Sequence, residues 1–263
     1  MHRALVVLAA GFALMASACG GSASGGSITI VPGDSSPTVP PGTPTNTLVP
    51  GETAAPTSTA DSAGTPAPTA TERVEPLPCG DILVPVGKQL ALPSDCAPST
   101  TMVVPGEYSW QPGQELIPEA LDALISLLEA ARTDGYEMFV ESAYRSYSTQ
   151  VGTFNYWVSY YGSEAEAARI SARPGHSEHQ LGTTLDLTVA RNGTNLDAFV
   201  GTPEAAWVRD NAWRFGYVVS YPEGMEAVTG YVWEPWHIRY VGEDVAREIR
   251  ESGLTPGEFL ARR

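Results

Sequence analysis

The sequence has little positive charge and almost no lysine. Its 15 Lys and Arg residues stand against 30 Asp and Glu residues, which gives a formal net charge of −15, and Lys88 is the one lysine. Such an acidic composition argues against binding to nucleic acid or to an anionic membrane surface through charge. No Ser-x-x-Lys motif is present, which disfavours the serine peptidases that depend on this motif.

Long hydrophobic runs are also scarce. Residues 4–16 form an apolar run that is shorter than the roughly 20 residues of a membrane-spanning helix. Arg3 before this run and the small residues at 16–18 predict a signal peptide over residues 1–18. Cys19 follows directly and resembles the lipidated cysteine of a bacterial lipoprotein. We therefore expect an extracytoplasmic protein whose only membrane attachment is a lipid anchor on Cys19, with secretion as the alternative.

Cysteine is rare, and its distribution predicts a disulfide. Lipidation of Cys19 leaves Cys79 and Cys96, an even pair in an oxidising compartment. A bridge between them would contribute roughly 3 kcal/mol in the chain-entropy model.

Residues 19–75 are rich in Gly, Ser, Thr and Pro and are predicted to be a disordered tether. Residues 76–104 then form a disulfide-closed lead-in segment.

Residues 105–263 are long enough for one domain with a hydrophobic core. Their hydrophobic spacing, glycines and prolines predict an α+β fold, in which a small antiparallel sheet packs with helices. The predicted helices cover residues 117–133, 148–161, 163–172, 202–215 and 244–252. The predicted strands cover residues 137–144, 183–189, 217–221 and 230–233.

Histidine is restricted to four positions, and His2 lies in the predicted leader. Imidazole and carboxylate groups are the usual protein ligands of a catalytic zinc, which keeps one position for water. Asp186 lies on the polar side of an alternating strand, with Thr184 and Thr188. We therefore choose His179, Asp186 and His237 as candidate ligands of Zn²⁺.

Simpler readings of these residues remain open. A histidine is more often a packing residue than a ligand, an Asp on a strand is often only solvated, and this spacing is no fixed metal signature. Glu234 favours a metal site, because Pro235 predicts a bend that would bring its carboxylate towards a water on the metal. His176 receives no role and is read as a loop histidine. An exposed arginine such as Arg145 is usually only a solvated charge.

Two sequence blocks carry a family resemblance. They are Ser177-Glu178-His179-Gln180-x-Gly182-x-x-x-Asp186 and Glu234-Pro235-Trp236-His237-x-Arg239-Tyr240-Val241-Gly242. With Ser142-Ala143-Tyr144-Arg145-Ser146-Tyr147 and Gln150 upstream, roughly residues 105–245 closely resemble the VanY-type zinc D-alanyl-D-alanine carboxypeptidases of peptidase family M15. The resemblance implies a single catalytic domain with zinc on His179, Asp186 and His237. It also implies Glu234 as general base and Arg145 as electrophilic helper. Thr184 departs from the small apolar residue usual in relatives.

The resemblance implies an enzyme that removes the terminal D-Ala from peptidoglycan stem peptides ending in D-Ala-D-Ala. We expect it to be a monomer. The substrate carboxylate needs a positive or hydrogen-bonding partner, for which Arg145, Ser177 and Arg239 are candidates. Related zinc sites act as D-Ala-D-Ala dipeptidases or L,D-endopeptidases, and these activities stay open. A non-catalytic wall-binding lipoprotein is the alternative from another class. Glu234 argues against that alternative, because a site that only holds zinc needs no base.

Overall fold

Short helices alternate with short strands in the computed structural model, which describes residues 77–189 and 196–263. The helices are α1 (Pro118–Thr133), α2 (Tyr147–Tyr161), α3 (Glu164–Ile170), α4 (Pro203–Asn211), α5 (Glu226–Thr229), α6 (Glu243–Ser252) and α7 (Pro256–Ala261). The strands are β1 (Met102–Val103), β2 (Glu115–Leu116), β3 (Phe139–Ser142), β4 (Thr184–Thr188), β5 (Tyr217–Val219) and β6 (His237–Tyr240). Short 3-10 helices cover Glu178–Leu181, Leu196–Phe199 and Ala212–Phe215.

An antiparallel sheet in the order β3-β4-β6-β5 lies at the centre of these elements, and β1 pairs with β2 separately. Strand β4 has a neighbour on both edges, and Asp186 is paired with Ser142 on β3 and with His237 on β6. All five residues of β4 are buried. The structure thus confirms the predicted α+β fold with a small antiparallel sheet.

Helix α1 forms much of the hydrophobic core beside this sheet. Pro118 occupies its first turn, where the missing N–H costs nothing. Its buried residues repeat at helical spacing: Ala120, Leu121, Leu124, Leu127, Leu128 and Ala131. Tyr217 of β5 donates a buried hydrogen bond to the Ala120 carbonyl at 2.6 Å, which joins the helix to the sheet.

The prediction of a strand over residues 230–233 was wrong. Residues 230–233 follow helix α5 in irregular structure, and the N–H of Val232 donates to the Arg169 carbonyl. The strand in this part of the chain is β6, which begins four residues beyond the predicted range and pairs with β4. Pattern alone favoured the apolar segment before Glu234, whereas pairing with β4 selects the segment that begins at His237.

Two smaller differences concern the other helices. The predicted helix 202–215 divides into α4 and a 3-10 turn that ends at Gly216, whose φ is +76°. Helix α7 was not predicted, although Thr255 and Glu258 form a capping box at its start. The predicted helices 117–133, 148–161 and 163–172 correspond to α1, α2 and α3 within two residues at each end.

The lead-in segment packs against the loop that carries the histidines. A disulfide joins Cys79 to Cys96, with 5.4 Å between the Cα atoms. The Leu92 N–H donates to the Gly175 carbonyl at 2.8 Å, and the Gln180 amide donates to the carbonyls of Pro93 and Cys96. A small apolar cluster completes the contact: Val84, Val86, Leu92, Cys96 and Leu181.

The predicted leader, tether and lipidated Cys19 lie outside the described residues. The described residues belong to one compact unit, in agreement with the single domain expected from length. No helix in residues 77–189 or 196–263 has the length and apolar character to cross a membrane.

Candidate metal centre

His179, Asp186 and His237 come together at one buried point. They lie on the 3-10 turn before β4, on β4 itself and at the start of β6. One ligand atom from each residue lies within 4.8 Å of the other two. The three residues are only 3–5% exposed, so the reading of Asp186 as a solvated strand residue is excluded. Cross-strand pairing of Asp186 with His237 explains why residues 51 positions apart meet.

Each imidazole is held by a partner behind it. His179 Nδ1 donates to the Ala143 carbonyl at 2.7 Å, so its other nitrogen, Nε2, faces Asp186 Oδ2 at 3.3 Å. His237 Nε2 lies 2.9 Å from Glu178 Oε2, and its Nδ1 lies 3.2 Å from Asp186 Oδ1. Ser142 donates to Asp186 Oδ2 at 2.6 Å. Two ring nitrogens and one carboxylate form a donor set suited to zinc with one open position.

The charges in this cluster favour a bound cation. Burial alone would raise the pKa of Asp186, but the neighbouring His179 and His237 hold it well below its usual value. Burial lowers the pKa of His179. Burial opposes charge on His237 as well, yet its hydrogen bonds to Asp186 and Glu178 raise its pKa to about 10. Without metal, His237 therefore holds a proton at the position that a metal ion would take.

Glu234 lies beside this cluster, at the end of a tight turn. The His237 N–H donates to the Glu234 carbonyl across Pro235 at 3.2 Å, so the predicted bend is present. The Glu234 N–H is bonded to the Tyr221 carbonyl, and its Oε2 lies 3.6 Å from His237 Nδ1. Burial raises the pKa of Glu234 to about 8, with a smaller contribution from the charge of Asp186. The positive charges of His237, Lys88 and Arg145 limit this rise.

Arg145 follows strand β3 and faces the same group of carboxylates. Its N–H donates to the His179 carbonyl at 3.2 Å, which anchors its backbone to the histidine turn. The residue is half-buried, and burial lowers the pKa of its guanidinium, whereas the charges of Asp186 and Glu234 act in the opposite direction. The structure therefore brings the predicted base and the predicted electrophilic helper to the same three-residue cluster.

Comparison with known proteins agrees with this arrangement. A family model described as VanY, D-alanyl-D-alanine carboxypeptidase, matches residues 113–243. YodJ of Bacillus subtilis (strain 168), provisionally named a carboxypeptidase, is 40% identical over 184 residues, which are 68% of this chain and 67% of that protein. The chain belongs to the VanY family.

Solved structures of related peptidases show the same fold. The LdcB LD-carboxypeptidase is 39% identical, with a TM-score of 0.63 over 68% of this chain and 86% of that one. VanYB in complex with D-alanine-D-alanine is 30% identical, with a TM-score of 0.59 over 68% and 97%. A point mutant of the vancomycin resistance D,D-pentapeptidase VanY, in complex with Zn(II), is 29% identical, with a TM-score of 0.57 over 68% and 98%.

Arg239, one of the residues suggested for the substrate carboxylate, has a different role in this VanY-family chain. Its side chain is 0% exposed, so it has no surface with which to contact a substrate. It bonds instead to Glu178 and to the carbonyls of Ile82 and Val84. The expectation that Arg239 binds substrate is therefore wrong. Ser177 is 4% exposed and immediately precedes the histidine turn.

Several residues near the site were not found from sequence. The Tyr221 ring lies 4.7 Å from the His237 ring and 4.4 Å from that of Tyr231, and the Lys88 ammonium lies 3.2 Å from the centre of Tyr231. The contact of Lys88 with Tyr231 joins parts of the chain far apart in sequence, and no local pattern indicates any of the three contacts. His176 Nδ1 lies 2.7 Å from the Gly87 carbonyl, which agrees with its reading as a loop histidine.

Proposed function

We propose that this protein is a zinc-dependent, monomeric D-alanyl-D-alanine carboxypeptidase that removes the terminal D-Ala from peptidoglycan stem peptides. The observation that carries the proposal is the convergence of His179, Asp186 and His237, with Glu234 3.6 Å from the His237 ring. The complexes of VanY relatives with D-alanine-D-alanine and with Zn(II) support the choice of substrate and metal.

The three clustered residues would hold the zinc ion through His179 Nε2, His237 Nδ1 and an Asp186 oxygen. When bound, zinc supplies a Lewis acid that lowers the pKa of a coordinated water to about 7. Burial of the cluster excludes bulk water and strengthens the electrostatic interactions among its residues.

Glu234 is placed to move the proton. Its carboxylate accepts the proton of the attacking water and returns it to the amine of the departing D-alanine. For this step the carboxyl must be ionised. Burial opposes that state and raises the pKa of the carboxyl to about 8, whereas the positive charges of His237, Lys88 and Arg145 favour it. The Arg145 guanidinium stabilises the negative charge that develops on the carbonyl oxygen of the substrate. Ser177 remains the candidate for holding the substrate carboxylate.

A second activity, L,D-carboxypeptidase, is favoured by the 39% identity to LdcB. It would use the same residues on a peptide that ends in an L-residue followed by D-Ala. The two activities differ in the residue before the cleaved bond, which is D-Ala for the first and an L-residue for the second.

One experiment tests both activities. Free D-alanine is measured after the purified protein is mixed with a peptide ending in D-Ala-D-Ala or with a matched peptide ending in L-Lys-D-Ala. The assay is repeated after chelation and after zinc is restored. We expect zinc-dependent release from the first peptide. Release only from the second would replace the proposed activity with the L,D-specific one, and release that persists without metal would contradict the zinc site.

We also propose that the enzyme acts outside the cytoplasm, attached through a lipid on Cys19 and extended by residues 19–75. The apolar leader and the position of Cys19 support this location. Expression in a bacterium fed radiolabelled palmitate should label the wild-type protein but not Cys19→Ser. An unlabelled wild-type protein in the culture medium would indicate secretion instead.

A further inference from the structure

Glu178 connects a proposed metal ligand to a buried arginine. Its Oε2 lies 2.9 Å from His237 Nε2, and its Oε1 accepts from Arg239 Nη1 at 2.9 Å. The three side chains are 3%, 5% and 0% exposed, so both hydrogen bonds are shielded from water. The two oxygens of one carboxylate thus have different partners.

The arginine in turn is fixed by the lead-in segment. Arg239 Nη2 donates to the Ile82 carbonyl at 2.8 Å and to the Val84 carbonyl at 2.7 Å. Both carbonyls lie inside the loop closed by the disulfide between Cys79 and Cys96. The planar guanidinium of Arg239 makes three hydrogen bonds, and these bonds fix its orientation. Glu178 therefore meets His237 from a fixed direction.

This direction decides which nitrogen of His237 is free to bind a metal. A carboxylate accepts hydrogen bonds and does not donate them, so His237 Nε2 carries the hydrogen at this contact. In a neutral imidazole the lone pair is then on Nδ1, which faces Asp186. His179 has the opposite arrangement, because its Nδ1 donates to the Ala143 carbonyl and its Nε2 faces Asp186.

We propose, on the basis of the zinc site proposed above, that Glu178 is a positioning residue that holds His237 in the Nε2–H form with Nδ1 directed at the metal. Arg239 and the carbonyls of Ile82 and Val84 hold Glu178 in turn. Carboxylates that accept from the outer nitrogen of a metal-binding histidine orient the ring and raise its basicity. An ion pair kept only for packing is often replaced by apolar residues without loss of stability.

Zinc affinity of Glu178→Gln tests the proposal. In an amide only the oxygen accepts, and the NH2 group in place of the second oxygen donates, so glutamine cannot accept from both His237 and Arg239 in the way a carboxylate does. We expect zinc affinity, measured by competition with a chelator, to fall about 10- to 100-fold. The visible spectrum of the cobalt-substituted protein should also change. An affinity within twofold of wild type would overturn the proposal.

Tyr217→Phe is the matched control, because it removes a buried hydrogen bond, to the Ala120 carbonyl, that lies apart from the site. It should lower the melting temperature yet leave zinc affinity and the cobalt spectrum unchanged. If Tyr217→Phe weakened zinc binding as much as Glu178→Gln does, the effect would be one of general stability, and the positioning role would be rejected.

The wild-type protein gives a test that does not depend on variants that fold. Long-range ¹H–¹⁵N NMR of the zinc-loaded protein should show His237 protonated at Nε2 and His179 protonated at Nδ1. Protonation of His237 at Nδ1 would overturn the proposal. Neither NMR nor chelator competition measures hydrolysis, so a zinc-loaded protein that releases no D-alanine would reject the proposed function while the role of Glu178 stands.

Discussion

Glu234 Oε2 lies 3.6 Å from His237 Nδ1, the ring nitrogen that also faces Asp186. Glu234 is thus next to the proposed ligands without belonging to the three residues whose ligand atoms cluster. A carboxylate in this position can exchange protons beside the metal while the ligand set remains complete. Proton transfer by Glu234 and metal binding by the three ligands can therefore be tested independently.

Replacement of Glu234 by Gln should slow hydrolysis strongly and leave the metal bound. Loss of a positioned base costs about 10²- to 10⁴-fold in rate, and the isosteric amide keeps the packing. The measurement is D-alanine release together with zinc content by atomic absorption. Glu223→Gln, at an exposed position, is the control and should behave as wild type. Activity within threefold of wild type would remove Glu234 as the base.

Replacement of Arg145 by Met should slow turnover more than it weakens substrate binding. If the guanidinium stabilises developing negative charge, its loss costs about 10²- to 10³-fold in kcat. Steady-state kinetics separate kcat from KM, and Arg247→Met, on the exposed side of α6, is the control. A change confined to KM would instead assign Arg145 to substrate binding.

Removal of the disulfide should destabilise the domain. The paired substitution of Cys79 and Cys96 by Ser frees the closed loop in the unfolded chain and costs roughly 3 kcal/mol. For a domain of this size that corresponds to a fall of about 6–12 °C in melting temperature. Thermal unfolding with and without a reducing agent checks it, since reduction of the wild type should give the same fall. Equal melting temperatures for oxidised and reduced protein would contradict this.

The metal-free domain should become less stable as the pH rises from 6.5 to 8. Folding raises the pKa of Glu234 from 4.5 to about 8 and that of His237 from 6.5 to about 10. In this window these two groups hold more protons in the folded protein than in the unfolded chain, so their contribution to stability falls with rising pH. The raised pKa of Glu141 acts in the same direction, and the lowered pKa values of His179 and Lys88 act in the opposite direction. Melting in a chelator should show a decrease of roughly 4–8 °C. Glu234→Gln should show a smaller decrease, whereas a higher melting temperature at pH 8 would show that other groups dominate.

Thr184→Val should be neutral or stabilising. The Thr184 hydroxyl is buried on β4 and has no hydrogen-bond partner among the described residues. Replacing an unsatisfied buried hydroxyl by a methyl group removes a desolvation cost of about 1–3 kcal/mol, although repacking offsets part of the gain. Chemical denaturation checks this, with Thr133→Val at the exposed end of α1 as the control. A large loss of stability would indicate that an ordered water satisfies the hydroxyl.

The sequence predicted those parts of the fold that depend on local patterns. Helix α1 follows from leucines at helical spacing after Pro118, and the bend before His237 follows from Pro235. Strand β6 was misplaced because its burial comes from pairing with β4, about 50 residues earlier, and that pairing leaves no local signal. His179 and His237 could be chosen because histidine is so rare in this chain, and Asp186 because it lies on the polar side of an alternating strand.

The groups behind the site could not be predicted in the same way. Glu178 looks like a loop residue in sequence, and Arg239 looks like a candidate for binding substrate. Their contact spans 61 residues and becomes visible only when β6 is placed beside the histidine turn. The side chains of Ile82 and Val84 do not predict that their backbone carbonyls accept hydrogen bonds, because every residue has such a carbonyl.

The contacts of the lead-in segment determine where the protein can be shortened. The similarity to the family model begins at residue 113, after the whole of the disulfide-closed loop. A protein trimmed to that boundary would leave the Arg239 guanidinium without two of its carbonyl acceptors and would uncover Leu181. The folding unit therefore begins before Cys79, more than 30 residues upstream of the region by which the family is recognised.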